Sequence, residues 1–364
     1  MKKVLVIHPS LGYGGAEKMM AFVTNCFAEV CEVELMLLQD SDITLELNPS
    51  VNVEKYNLYS SEAIIGKNML NGVISFLHMT KTIKSIIKKK KPDIVFGFDL
   101  RVLVAIYYAT RSIKVKVLFS ERADPYLNSK RWRKIIKKIY KNIDYVVFQT
   151  QGAKEFYGNL VENKSTIIPN PAMPRNNTKE VEKLEFEYPY IFSAGQMQWR
   201  KGFDILIKAF YKISLAFPEY HLVLFGEGNE KEHLVKLAKE YGLMKKIHFY
   251  APINNVIEKN LNAELFIIPS RSEGIPNILI EAMYAGIPSV ATDCSPGGAR
   301  LLSDDGKYCV LCERENVNAL YEAIVYGLKN KKEMHELSEK AKKGLKRFDA
   351  KKISDEWKKL IMRI

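Results

Sequence analysis

The chain has 364 residues, 47% of them hydrophobic, which suits two α/β domains of about 100 to 200 residues and fills two cores. Its net charge is +13 and unevenly placed: residues 1–170 hold 25 Lys and Arg against 16 Asp and Glu, the remainder 30 against 26, so an anionic partner is expected on the first half. Five sparse cysteines exclude a disulfide framework, no apolar run reaches the roughly 18 residues of a membrane span, and the apolar stretch after Met1-Lys2-Lys3 is too short for a signal peptide, which predicts a cytosolic protein.

Short apolar strands alternate with helical stretches along the whole chain. The first half offers strands at Lys3–Ile7, Val33–Leu38, Ile94–Phe98, Val115–Ser120, Tyr145–Gln149 and Thr166–Ile168. The second offers Tyr190–Ala194, Leu222–Phe225, Ile247–Tyr250, Leu265–Pro269, Ser289–Ala291 and Tyr308–Leu311. Helices are expected between them, among others at Ala16–Phe27, Phe203–Leu215 and Glu230–Tyr241. This alternation predicts parallel sheets covered by helices on both faces. Pro169 to Thr178 is rich in Pro and Asn, sustains neither helix nor central strand, and is read as the linker. The two halves are then two Rossmann-like domains with a cleft between them. Asp349–Ile364 reads as a polar helix with apolar Ile353, Trp357, Leu360 and Ile361.

Four glycine-bearing loops follow strands. Leu11-Gly12-Tyr13-Gly14-Gly15-Ala16-Glu17-Lys18 opens the first helix. It lacks both the G-x-G-x-x-G spacing and the Walker ending, so by itself it is a tight turn or a phosphate cradle. Ala194-Gly195-Gln196-Met197-Gln198-Trp199-Arg200-Lys201-Gly202 sets cations just before a helix start, where they and the helix dipole neutralise a diphosphate. Phe225-Gly226-Glu227-Gly228 and Ser295-Pro296-Gly297-Gly298 are the others. In a doubly wound sheet the strand ends that carry them share one edge. Between these loops Glu273 and Glu281 flank a helix start, with Pro276 in its first turn and Gly286 at its end.

Gly14-Gly15-Ala16-Glu17, Gly195 with Lys201-Gly202, Gly226-x-Gly228, Glu273 and Glu281 in an E-x7-E arrangement and Pro296-Gly297-Gly298 occur in this order. Together they resemble the retaining glycosyltransferases of family GT4, of GT-B fold, in the flavour of bacterial enzymes that build surface polysaccharides or lipid-linked oligosaccharides. The resemblance covers essentially the whole chain. It implies an α/β GT-B protein with an acceptor-binding domain at 1–172, a nucleotide-sugar domain at 173–348, and a C-terminal helix at 349–364 packing on the first domain.

The resemblance also implies roles. Glu281 would bind a ribose diol and Glu273 the donor-sugar hydroxyls. Gly274, Ile275 and Pro276 would line the sugar and phosphate site. Lys201 would stabilise the leaving diphosphate, Gly14 and Gly15 would approach the phosphates, and Tyr250-Ala251-Pro252 would contact the base. Gly195, Arg200 and Arg271 complete the donor set. Where the family often has an Arg after the glycine at 195, this chain has uncharged Gln196, and Arg200 stands as the replacement. Where the family often has a first-domain histidine, this chain has Arg122, read as a contact to phosphate or acceptor. With Lys201 and Glu273 it forms the catalytic set. The donor is expected to be UDP-linked, with no cofactor and no metal. A nucleotide-sugar 2-epimerase and a binding-only subunit are the alternatives.

Other signals have plainer readings. Cys309-Val310-Leu311-Cys312 reads as a buried strand, Asp40-Ser41-Asp42 as a solvated turn, and His8 as a satisfied loop histidine. Residues 130–141 form a basic amphipathic stretch, with Trp132, Ile135, Ile136 and Ile139 on one face. It is read as a contact to an anionic membrane surface, where a glycan or lipid-linked acceptor would reside. That reading makes the protein peripheral at the inner face of the membrane. No nucleic-acid recognition motif accompanies the charge.

Overall fold

The computed structural model describes residues 1–12, 14–58, 69–172 and 182–364. They form two compact units: Met1–Asn170 with Lys351–Ile364, and Pro171–Ala350. The division thus falls between Asn170 and Pro171, two residues before the sequence boundary.

The first unit is a seven-stranded parallel sheet in the order β3-β2-β1-β4-β5-β6-β7. Its strands are β1 (Lys3–His8), β2 (Glu32–Leu37), β3 (Asn52–Lys55), β4 (Ile94–Gly97), β5 (Lys116–Glu121), β6 (Tyr145–Phe148) and β7 (Ser165–Ile167). Its helices are α1 (Gly15–Ala28), α2 (Met69–Lys90), α3 (Leu100–Thr110), α4 (Lys130–Asn142) and α5 (Gln151–Glu155). Strand β1 is a continuous apolar run because both its faces are covered. Leu5 and Ile7 pack under α2, α3 and α4, while Val4 and Val6 pack on α1 and the C-terminal helix. The period of two divides one strand between two cores.

The second unit is a six-stranded parallel sheet in the order β10-β9-β8-β11-β12-β13. Its strands are β8 (Tyr190–Ala194), β9 (His221–Phe225), β10 (Ile247–Tyr250), β11 (Leu265–Ile268), β12 (Ser289–Asp293) and β13 (Val310–Glu313). Its helices are α6 (Phe203–Ala216), α7 (Lys231–Glu240), α8 (Val256–Lys259), α9 (Asn277–Ala285), α10 (Gly298–Ser303), α11 (Val317–Lys329) and α12 (Lys331–Gly344). Helices α6, α7 and α11 cover one face, and α8, α9 and α10 the other. The last helix, α13 (Ala350–Arg363), belongs to the first unit from Lys351 onward. There Trp357 is fully buried, edge-on to Phe27 at 5.9 Å and Phe96 at 5.8 Å.

Three differences from the sequence reading have physical causes. β3 is a short, polar edge strand without an apolar run to announce it. Pro276 is the residue before α9 rather than inside it, and Gly286 closes that helix in the left-handed conformation. On α4, Ile136 and Ile139 are core residues joined by Tyr140, Trp132 is partly buried, and Ile135 faces outward. Most of the apolar stripe therefore serves the core, and the cations occupy the outer face. No helix among the described residues is long and apolar enough to cross a membrane.

Glu121 ends β5 inside the first unit, accepting hydrogen bonds from Tyr140 Oη (2.7 Å) and Tyr157 Oη (3.0 Å). Burial pushes its carboxyl up from 4.5 to about 8, and the two tyrosines only partly oppose this. A carboxyl raised on folding contributes stability that is full below its unfolded pKa and lost as pH rises through the folded value. The first unit should therefore weaken between about pH 5 and 8, by up to about 1.4 kcal/mol per pH unit. Calorimetry of Glu121→Gln should show this decline flattened. An unchanged pH slope would refute the account.

Candidate active site

The C-terminal ends of β8, β9, β11 and β12 carry the glycine loops of the second unit. The loop after β8 lies on the loop after β9: Gly195 N donates to Phe225 O (3.0 Å) and Met197 N to Glu227 O (2.8 Å). Gly202 has φ +68° and leads into α6. A Cβ there would stand 2.0 Å from Pro269 O, so only glycine lets the loop sit against the end of β11. Arg271 N donates to Arg200 O (2.8 Å), joining the two loops by backbone.

Lys201 and Arg200 converge on one carboxylate. Lys201 Nζ donates to Glu273 Oε1, and Arg200 Nη1 lies 3.4 Å from Glu273 Oε2. Ser270 Oγ donates to Oε1 at 3.0 Å. Glu273 is 8% exposed, and its backbone N–H donates to Ser295 O at 3.2 Å. Two cations around one carboxylate leave a net positive charge beside the start of α9. That helix has Pro276 before it and no side-chain cap on its first turn. Backbone N–H groups, the helix dipole and the two cations thus gather positive charge at one place, the arrangement that suits an anion.

Arg271, read from the sequence as a donor contact, is instead turned into a brace. Its fork pairs with Asp204 of α6 at 2.7 and 2.8 Å, and its Nε reaches Glu315 at 3.3 Å. Its guanidinium also stands 4.8 Å over the Trp199 ring. Burial works to raise the Asp204 carboxyl, but the Arg271 fork outweighs it and holds it below the usual range. The pairing joins residues 67 positions apart, which no local spacing reveals.

The remaining candidates are placed as follows. Gly274, Ile275 and Pro276 form the turn between Glu273 and α9, with Ile275 and Pro276 buried. Glu281 lies further along α9 and is partly exposed. Tyr250 is exposed at the end of β10, stacked on Phe225 at 5.4 Å, with Ala251 and Pro252 exposed after it. Gly14 and Gly15 open α1 in the first unit.

Arg122 also belongs to the first unit. Its Nη1 donates to Ile168 O (3.3 Å) and Asn170 Oδ1 (3.0 Å), and its guanidinium lies 4.9 Å over Phe98 and 5.4 Å over Trp357. The side chain so ties β5 to the residues after β7 and to α13. His8 is buried with Nδ1 2.6 Å from Ser10 O, and burial lowers its pKa. Cys309 and Cys312 both have thiols pushed up to about 12 by burial. Among the described residues no three His, Cys, Asp or Glu side chains converge as metal ligands would.

Residues 174–344 match the family model described as glycosyl transferases group 1. The chain is 26% identical over 372 residues to the Campylobacter jejuni N-acetylgalactosamine-N,N'-diacetylbacillosaminyl-diphospho-undecaprenol 4-alpha-N-acetylgalactosaminyltransferase, covering 97% of this chain and 98% of that protein. Sucrose-phosphate synthase from Thermosynechococcus elongatus superposes with a TM-score of 0.84 at 16% identity, over 100% of this chain and 99% of that one. Anabaena HepE, solved with UDP and glucose, superposes at 0.79 and 16% identity over the full length of both. Residues 174–344 therefore form a domain of the group 1 glycosyl transferase type, and the chain as a whole has the GT-B fold.

Proposed function

We propose that the chain moves a hexosyl or N-acetylhexosaminyl group from a UDP-sugar to a lipid-linked glycan, with retention and without metal, in surface polysaccharide synthesis. The observation that carries this reading is the Arg200–Lys201–Glu273 cluster at the open start of α9. When the bond from the sugar to the diphosphate breaks, negative charge grows on the leaving nucleotide. Lys201, Arg200 and the helix N-terminus supply fixed positive charge there before the reaction begins. Glu273 holds the two cations in place and faces the sugar end, while Glu281 on α9 takes the ribose. The acceptor hydroxyl then attacks on the face the nucleotide leaves.

Two likenesses support the substrate classes. The Campylobacter relative is named for transfer to a diphospho-undecaprenol glycan, and the Anabaena structure was solved with UDP and glucose. The acceptor reading places the protein at the inner face of the cell membrane.

The test is nucleotide release from a panel of UDP- and GDP-sugars, with and without an undecaprenyl-diphosphate glycan, repeated in a chelator. Acceptor-dependent release from a UDP-sugar, unaffected by the chelator and giving an α-linked product from an α-linked donor, is the expected result. Nucleotide binding with no turnover from any donor would overturn the enzyme reading.

A further inference from the structure

One layer of the first unit holds the whole charge excess of the chain. Helices α2, α3 and α4 carry five, one and seven Lys or Arg, thirteen together, and no Asp or Glu. The chain's net charge is +13, so everything outside these helices is neutral in sum. α3 packs against both α2 and α4, and all three contribute to one core cluster. On α4, Lys130, Arg131, Lys134, Lys137, Lys138 and Lys141 are exposed. On α2, Lys90 is engaged by Glu34 and Glu54, whereas Lys81, Lys88 and Lys89 are exposed.

The same layer leaves aliphatic side chains in water. Val73, Ile74 and Leu77 of α2 are 53, 63 and 60% exposed. Their spacing puts them on one side of the helix, opposite Met79, Ile83 and Ile86, which face the core. Tyr108 of α3 is exposed beside them, edge-on to Phe76 at 6.4 Å. An apolar patch bordered by cations, on helices that already fill their own core, marks a surface that meets something.

Charge alone would suit nucleic acid or lipid, and the aliphatics decide between them. Val, Ile and Leu reach nothing on a phosphate backbone and cannot stack on bases as aromatic rings do. At a bilayer they enter the acyl boundary while Lys and Arg remain among the headgroups.

We propose that α2, α3 and α4 form a bilayer-docking face, in which Val73, Ile74 and Leu77 insert while the cations of α4 and α2 bind anionic headgroups. This extends the membrane contact beyond residues 130–141 to a second helix that does the inserting. It rests on the lipid-linked-acceptor reading for its purpose, but not for its test.

The full chain is sedimented with phosphatidylcholine vesicles, with and without phosphatidylglycerol, at low and high salt. Binding should require the anionic lipid and fall with salt. Val73→Ser/Ile74→Ser/Leu77→Ser should lose about tenfold or more in affinity with an unchanged melting temperature. Lys134→Glu/Lys138→Glu should weaken the salt dependence. An environment-sensitive fluorophore on Ile74→Cys should shift to the blue on adding anionic vesicles. Binding without that shift would overturn the inserting role of α2. Self-association abolished by the triple serine variant, with no vesicle binding, would assign the face to a second copy and overturn the proposal. Vesicle binding without sugar transfer would support the docking face while sinking the transferase reading. Transfer to the lipid-linked acceptor without vesicle binding would do the reverse.

Discussion

Lys201→Ala should lower turnover by about 10²- to 10³-fold, the range seen when one preorganised donor is removed from a developing oxyanion. The side chain stands on Glu273, at the turn into α9, and its stem passes within 3.7 Å of where a Cβ on Gly195 would lie. Nothing else in the loop can bring a second ammonium to that point. The fold should survive, because Glu273 keeps Arg200 at 3.4 Å and the Ser270 hydroxyl at 3.0 Å. Its carboxylate is not left unpaired, so the usual heavy cost of orphaning a buried charge does not arise in full. A loss of about 1–2 kcal/mol fits removal of one charged hydrogen bond among several. Lys201→Arg should recover only part of the rate, since a planar, delocalised guanidinium does not reproduce the compact point charge of an ammonium. Steady-state kinetics for the donor, with a thermal melt alongside, are the measurements. A kcat within about threefold of the unmodified protein would show that Lys201 does not stabilise the leaving group.

The legibility of this chain follows the range over which each signal acts. β1 and β11 are plain in sequence because a strand buried on both faces is an unbroken apolar run. α9 is legible for a similar reason: Pro276 and Gly286 mark its ends by backbone chemistry local to those residues. β3 fails that test, since an edge strand with half-exposed polar residues needs no apolar run. The candidate site divides the same way. Lys201, Glu273 and the glycine loops are recognisable because they belong to short motifs. What Arg271 does is not legible, because its partner Asp204 lies on another element and only the folded sheet brings them together. Arg122 illustrates the limit from the other side. Its place after β5 suggests a site residue, yet its direction depends on Phe98, Asn170 and Trp357, none of them nearby in sequence. On α4 the periodicity finds an apolar stripe, but which members are core and which outward depends on how α3 and the sheet meet the helix.

Gly298→Ala is the second substitution expected to have a large effect, through a mechanism unlike that of Lys201→Ala. Gly298 starts α10, and a Cβ on it would stand 1.8 Å from Gly274 O, 2.8 Å from Gly274 C and 3.0 Å from Ile275 Cα. All three are backbone atoms, so no side chain can swing aside to admit the methyl. The Glu273–Pro276 turn would have to move by on the order of 1 Å to restore ordinary van der Waals separation. That turn is not free to move alone. Glu273 N is bonded to Ser295 O at 3.2 Å, Ser272 bridges to Ser295, and Arg314 Nη1 holds Ser295 Oγ at 3.0 Å. The added methyl therefore either breaks these bonds or tilts the turn and the first turn of α9 together. Either outcome displaces Glu273 from Lys201 and the helix N-terminus from the place proposed for the diphosphate. Overpacking of this kind costs about 1–3 kcal/mol, and for a unit of this size that lowers the melting temperature by roughly 2–4 °C per kcal/mol. A 1 Å misplacement of a positioning group lowers catalysis by up to about 10²-fold. The two effects separate by temperature. If Gly298 serves stability alone, a variant assayed well below its melt should show normal donor KM and kcat. If its missing Cβ sets the distance between the two loops, donor KM should rise and kcat fall even where the protein is fully folded.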